Sequence, residues 1–184
     1  MIKGDFTHCE NIVQFYNEIR ALHEEAHGKE YVAHHDEMSR LAKECTSYRE
    51  LGTMQGATAA ALAVAGIPYI QLVDITFEKF RPYQHLFKDI KLEMYEISSI
   101  DPSLSSLKPV DMMLVDSVHV GAYTLKELAL HAKSVRKYIV FHDTVKPTDD
   151  IQKAIMQFLK QNTNWTLETV YTQNVGFTTI RRVL

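Results

Sequence analysis

Two cysteines, five prolines and seven glycines in 184 residues leave little material for a disulfide framework, a stiff linker or a low-complexity tail. Cys9 and Cys45 form no CxxC or Cys/His metal spacing and read as ordinary thiols in a reducing, cytoplasmic compartment. Basic residues (20) do not exceed acidic ones (23), and the net charge of -3 speaks against nucleic acid or an anionic membrane as partner. No apolar run of signal-peptide length opens the chain. The one long apolar stretch, Ala57 to Ile75, is broken by Gly66 and Pro68 and carries Thr58, Gln71 and Asp74, which predicts a helix, a turn and a strand rather than a membrane span. With 46% hydrophobic and 23% charged residues, the chain has the composition of one soluble globular domain.

Ile12, Phe15, Tyr16, Ile19 and Leu22 recur at helical spacing and predict an amphipathic helix ending near Gly28; a second helix is expected over Tyr31–Cys45, with Met38, Leu41 and Ala42 facing inward. Beyond it, apolar strand-like runs (Ser47–Leu51, Tyr69–Ile75, Leu92–Ile97, Val110–Asp116, Tyr138–His142) alternate with helical ones (Gln55–Ala65, Thr76–Phe87, Gly121–Val135, Lys146–Asn162). Strands apolar throughout and separated by helices indicate a parallel sheet covered on both faces. At the end, Trp165–Thr172 and Val175–Val183 are separated by only Gln173 and Asn174. A parallel crossover needs about a dozen residues, so this pair is an antiparallel hairpin. The expected fold is α/β, a Rossmann-like three-layer sandwich around a mostly parallel seven-stranded sheet. Residues 1–46 form a helical cap within the same domain, and residues 47–184 form the ligand-binding body.

Gly52 and Gly56 follow the first strand and open an Ala-rich helix, where they let the main chain turn and approach a ligand that a Cβ would obstruct. Asp74 ends the next strand, the place from which a carboxylate accepts both hydroxyl hydrogens of a ribose. Met54 stands where a dinucleotide fingerprint needs glycine, and no Gly-Lys-Ser/Thr follows, so a ribose-containing ligand without phosphates fits better than a dinucleotide or a nucleoside triphosphate. The bland alternative is that the two glycines merely shape a turn. Glu50-x-Gly52-x-x-x-Gly56, the acidic end of the second strand and the terminal hairpin resemble the class I S-adenosylmethionine-dependent methyltransferases, from about Tyr48 to the C-terminus. That resemblance implies a cofactor loop containing Glu50, Gly52, Thr53 and Gly56, a ribose contact at Asp74 and a place beside the adenine for Glu96-Ile97-Ser98-Ser99, with Ser98 as the contact.

Asp116 and Asp143 end the fourth and fifth strands at the same edge of the sheet, with His119 three residues beyond the first. Two neighbouring carboxylates could share a divalent cation, and oxygen ligands suit Mg²⁺. His119 could take a proton from an acceptor hydroxyl. Asp-x-x-His after strand four and His-Asp after strand five resemble a narrower branch, the macrocin and other sugar O-methyltransferases with the cephalosporin-hydroxylase-like proteins. This implies that Asp116 and Asp143 bind metal and that Asp116 and His119 are catalytic, with Asp116 also beside the cofactor. Thr144 stands where catechol-type relatives carry Asn, and His142 is a substitute ligand only at need; by itself it reads as a polar strand-end residue.

Asp116, Ser117, Asp143 or Thr144 could instead cap the helices that follow them. His34-His35-Asp36 reads mainly as a solvated helix face, because successive helical residues point about 100° apart. Tyr31, Tyr83 and Tyr123 read as packing residues, Trp165 as core, and Glu24-Glu25 and Arg181-Arg182 as exposed charges. The function that these features support is methyl transfer from S-adenosylmethionine to an oxygen of a small molecule or glycan. No Asn/Asp-Pro-Pro-Tyr motif of the amino-group enzymes follows strand four. The N-terminal helices and Arg81-Pro82-Tyr83 would supply acceptor contacts, and a homodimer would bury those helices. Two other readings stay open: a catalytically silent nucleotide- or partner-binding domain, and an NAD-dependent oxidoreductase.

Overall fold

The computed structural model describes residues 4–145 and 150–183. The seven strands are β1 (Ser47–Leu51), β2 (Tyr69–Asp74), β3 (Lys91–Glu96), β4 (Val110–Val115), β5 (Val135–His142), β6 (Trp165–Tyr171) and β7 (Phe177–Arg182). They form one sheet in the order β3-β2-β1-β4-β5-β7-β6. All neighbours are parallel except those of β7, which runs antiparallel to both β5 and β6. The helices are α1 (Ile12–His27), α2 (Ala33–Ala42), α3 (Ala57–Val64), α4 (Gly121–His131) and α5 (Ile151–Gln161).

Alternation along the strands divides the core in two. Tyr48, Ile70, Leu72, Met112, Leu114, Tyr138 and Val140 pack with α1, α2 and α3, while Leu51, Val73, Met113, Val115, Ile139 and Phe141 pack with α4 and α5. The sheet is thus the middle of three layers. Helices α1 and α2 both pack on α3, and Phe15 and Ile19 are fully buried there.

Several predicted boundaries differ. The expected helix over Thr76–Phe87 is a 3₁₀ helix over Arg81–Phe87 preceded by turns. Its buried residues explain the difference: Phe77, Phe80, Tyr83 and Leu86 recur every three positions, the period of a 3₁₀ rather than an α-helix. The helix expected over Tyr31–Cys45 begins as 3₁₀ (Lys29–Val32) and becomes α-helical only at Ala33. Val135, expected to end a helix, starts β5, because it pairs with Val110. The hairpin connection runs from Thr172 to Gly176, longer than the two residues expected, with Asn174 and Gly176 both at positive φ. The predicted start of the last helix at Lys146 lies outside the described residues. Among the described residues no helix is long and apolar enough to cross a membrane.

Candidate functional site

The strand order reverses direction between β1 and β4, and in open α/β sheets ligands bind at the carboxyl ends of the strands flanking such a switch. The main chain there is knit together: Gly52 N–H donates to the Val73 carbonyl and Asp116 N–H to the Leu51 carbonyl, both at 2.9 Å. Gly52 has φ +89°, and a Cβ on it would stand 2.3 Å from the Asp116 carbonyl oxygen. Only glycine allows this approach. Asp74 braces the loop: Oδ2 accepts from the N–H of Thr53 at 2.7 Å and of Met54 at 3.2 Å. Met54 itself has φ +49°, so its backbone occupies a left-handed conformation that glycine adopts without cost.

Two cavities meet at Gly52, Met54 and Asp116. One lobe is walled by Asp74, Ile75, Ser99, Ser117, Val118 and Tyr123. The other is walled by Glu50, Thr53 and Thr58 of the body and by His23, Tyr31, His34 and His35 of the N-terminal helices. Glu50 is buried, takes a hydrogen bond from the Tyr48 hydroxyl at 2.8 Å, and is pushed well above the ordinary carboxylate range by burial, with Asp116 and Asp74 adding to the rise.

At the carboxyl ends of β4 and β5, His119 Nε2 lies 3.2 Å from Asp116 Oδ1 and 3.0 Å from Asp143 Oδ2. His142 Nδ1 lies 3.3 Å from Asp116 Oδ1 and 3.7 Å from Asp143 Oδ2. Burial alone would raise the Asp116 pKa, but His142 and His119 hold it well below the usual range. Burial likewise disfavours the His142 imidazolium, yet Asp116 and Asp143 push its pKa up to about 10. Asp143 adopts φ +56°, which turns its carboxylate back toward this group. Asp116, His142 and Asp143 each offer a ligand atom within 4.8 Å of the others, a donor set that fits a divalent cation when His142 gives up its proton in exchange for it.

These placements correct parts of the sequence reading. His142 is not simply a polar strand-end residue: it is buried between the two carboxylates and α2, its ring 4.3 Å from that of His34. His34 and His35 are buried rather than solvated, 4% and 1% exposed, and both share the Thr58 hydroxyl at 3.3 to 3.4 Å. Burial keeps both neutral, His35 at about 3 and His34 well below its ordinary value. Tyr31 and Tyr123 border the crevice instead of only packing. Arg81-Pro82-Tyr83 lines neither lobe: Tyr83 stacks on Phe15 at 4.9 Å in the core, and Arg81 pairs with Glu96. Ser98 bonds the Tyr123 hydroxyl at 3.0 Å, and the neighbouring Ser99 is the one that faces the cavity. Glu24 is half-buried against Arg20, and Arg182 lies over Trp165. Helix α4 has no side-chain cap from Asp116 or Ser117. His119 lines neither lobe itself but touches Asp116, which lines both.

Two buried charges carry no sequence signal. Arg49, in the middle of β1, is fully buried and donates to Gln71 Oε1 (2.8 Å), Ser134 Oγ (2.9 Å), the Lys108 carbonyl (3.0 Å) and His131 Nδ1 (3.1 Å). His131 thereby carries its proton on Nε2 and donates to the Ser99 carbonyl at 2.7 Å. Glu127 on α4 is also fully buried, and burial, reinforced by Asp116, raises it from 4.5 to about 7. A raised acid keeps a proton in the folded state that the unfolded chain has already released. The contribution of Glu127 to stability should therefore fall as pH rises from about 4.5 to about 7, by up to roughly 3 kcal/mol. Urea unfolding of the wild type and of Glu127→Gln at pH 4.5 and 8 checks this: the buried neutral histidines raise the stability of both proteins over this range, and the wild type falls relative to the variant by that amount.

No protein-family model and no curated protein sequence matches the chain. Solved structures do. The O-methyltransferase TomG from Streptomyces achromogenes, in complex with S-adenosylmethionine, is 17% identical and superposes with a TM-score of 0.65 over 100% of this chain and 92% of its own. The chain has the class I S-adenosylmethionine-dependent methyltransferase fold. A putative caffeoyl-CoA O-methyltransferase from Staphylococcus aureus (10% identity, TM-score 0.65, 91% and 99% coverage) and the N-methyltransferase NodS from Bradyrhizobium japonicum WM9 (13%, 0.64, 83% and 96%) share this methyltransferase architecture. At such identities the likeness fixes the fold, and the acceptor atom differs among the neighbours.

Proposed function

We propose that the protein transfers the methyl group of S-adenosylmethionine to an oxygen of a small molecule or glycan. The observation that carries this reading is the two-lobed crevice at the β1/β4 switch, with a glycine whose Cβ position is filled by main chain and carboxylates at its two ends. The lobe beside Asp74 suits the adenosyl group: the carboxylate faces a ribose, and Ile75 and Val118, 74% and 41% exposed, offer apolar surface to a base. Glu50 and Thr53 in the other lobe suit the amino-acid tail. An acceptor enters between Asp116 and the wall of His23, Tyr31, His34 and His35.

In the transfer, an acceptor oxygen attacks the methyl carbon in line as the bond to sulfur breaks, leaving S-adenosylhomocysteine and a proton. His119 is the group proposed to take that proton. Its Nε2 lies within reach of Asp116 and Asp143, which orient the ring, and Asp116 lines the crevice, so the proton leaves the acceptor by way of the Asp116 carboxylate. Holding acceptor and methyl in register is worth several kcal/mol of barrier, of order 7 or more in well-oriented systems. Asp116, Asp143 and His142 would hold a divalent cation; such an ion would lower the pKa of an acceptor hydroxyl, and an imidazole in the set moves the preference from Mg²⁺ toward Mn²⁺ or Zn²⁺.

Calorimetric titration with S-adenosylhomocysteine and with NAD tests the reading. Binding of the first and not the second is expected. Gly52→Ala should weaken it at least about tenfold, since the new Cβ meets the Asp116 carbonyl oxygen and φ +89° is strained for alanine. Binding of NAD alone would overturn the proposal.

A further inference from the structure

The floor of the adenosyl lobe contains a device that the transfer step does not use. The hydroxyls of Ser99 and Ser117 both donate to one oxygen of Glu127, Oε1, at 2.6 and 2.5 Å. Ser99 comes from the segment after β3 and Ser117 from the end of β4, and both line the lobe with their oxygens 3.4 Å apart. Glu127 stands behind them, out of contact with solvent.

A hydroxyl has one hydrogen and two lone pairs. With both hydrogens drawn to Glu127, the two oxygens can offer the cavity only lone pairs. The Tyr123 hydroxyl oxygen also lies within reach of the Ser99 hydrogen, at 3.2 Å, but Glu127 Oε1 at 2.6 Å is the nearer and charged acceptor and takes it. A ligand atom facing the two serines must therefore be a donor, and a group with two hydrogens matches the pair. A carbonyl oxygen in the same place would meet lone pairs with the Glu127 charge behind them.

We infer that Glu127 is a positioning residue that fixes Ser99 and Ser117 as twin acceptors and so makes the lobe select a purine with an exocyclic amino group, adenine, over its 6-oxo counterpart, hypoxanthine. This inference rests on the proposal that a nucleoside occupies the lobe. It does not depend on the charge of Glu127. When a proton sits on Oε2, which has no hydrogen-bond partner, Oε1 still accepts from both serines.

The test compares the affinity of the full chain for S-adenosylhomocysteine and S-inosylhomocysteine by calorimetry. The wild type should prefer the adenosyl compound by at least about tenfold, the usual consequence of leaving a buried polar group mismatched. Glu127→Gln keeps a carbonyl oxygen at the Oε1 position and should keep the preference. Glu127→Leu frees both serine hydrogens and should bring the two affinities within about threefold of each other. A leucine variant that discriminates as the wild type does, or a wild type that binds both compounds equally, overturns the inference. Should the leucine variant not fold, Ser117→Ala serves instead: loss of one acceptor should lower the preference, and an unchanged preference overturns it. If the wild type binds neither compound, the proposal of a nucleoside site fails first.

Discussion

His119→Ala is expected to lower methyl transfer by about 10²–10⁴-fold, the usual contribution of a positioned proton acceptor, while S-adenosylhomocysteine binds nearly as before. The separation follows from position: His119 lines neither lobe of the crevice and touches it only through Asp116. The defect should shrink as pH rises, or with acceptors whose hydroxyl is already acidic, because ionised acceptor needs no base. A rate loss that is the same at every pH would instead mean that His119 only holds Asp116 and Asp143 in place. Retained turnover in this variant would remove His119 from the mechanism. Turnover absent in the wild type across sugar and phenol acceptors, with binding intact, would favour a silent binding domain.

Arg49→Met is expected to cost about 3–5 kcal/mol of stability, and about 10 °C in melting temperature for a domain of this length. Two effects oppose each other here. Burial lowers the Arg49 pKa from 12.5 to about 10, so removing the cation recovers roughly 3 kcal/mol. Against that, Gln71, Ser134, His131 and the Lys108 carbonyl all lose a donor inside the fold, at about 1–3 kcal/mol each. Four such losses outweigh one desolvation. Thermal unfolding followed by circular dichroism measures the balance, and a variant as stable as the wild type would mean that the vacated partners find water or one another.

Much of this molecule is legible from local pattern. Apolar strand runs separated by helical segments required a parallel sheet, and the short link before Phe177 required an antiparallel end. The tight loop at Gly52 and the carboxylate at Asp74 that braces it are legible because their meaning is local: one concerns the room beside a backbone, the other the end of a strand. The 3₁₀ segment Arg81–Phe87 is harder to read although its three-residue period is visible, since the aromatics also fit a loose helical count.

Burial of polar groups was not legible, and the site's character depends on it. His34 and His35 stand in a sequence as polar as any exposed helix face, and only the packing of α2 over α3 turns them inward. The linear order shows His142 as a residue at the end of a strand; its contact with Asp116 comes from β5 lying beside β4. Arg49 lies in a strand that reads Ser-Tyr-Arg-Glu-Leu and Glu127 lies on a helix whose other face is wet, and their partners are drawn from β2, the loop after β3, the end of β4 and α4. By itself the sequence determined the layers, the strand polarity and the place of the crevice, because propensity, periodicity and turn chemistry act between near neighbours. Only the tertiary structure decided which polar side chains leave water and whom they meet there, because desolvation and pairing are set by residues brought together from distant parts of the chain.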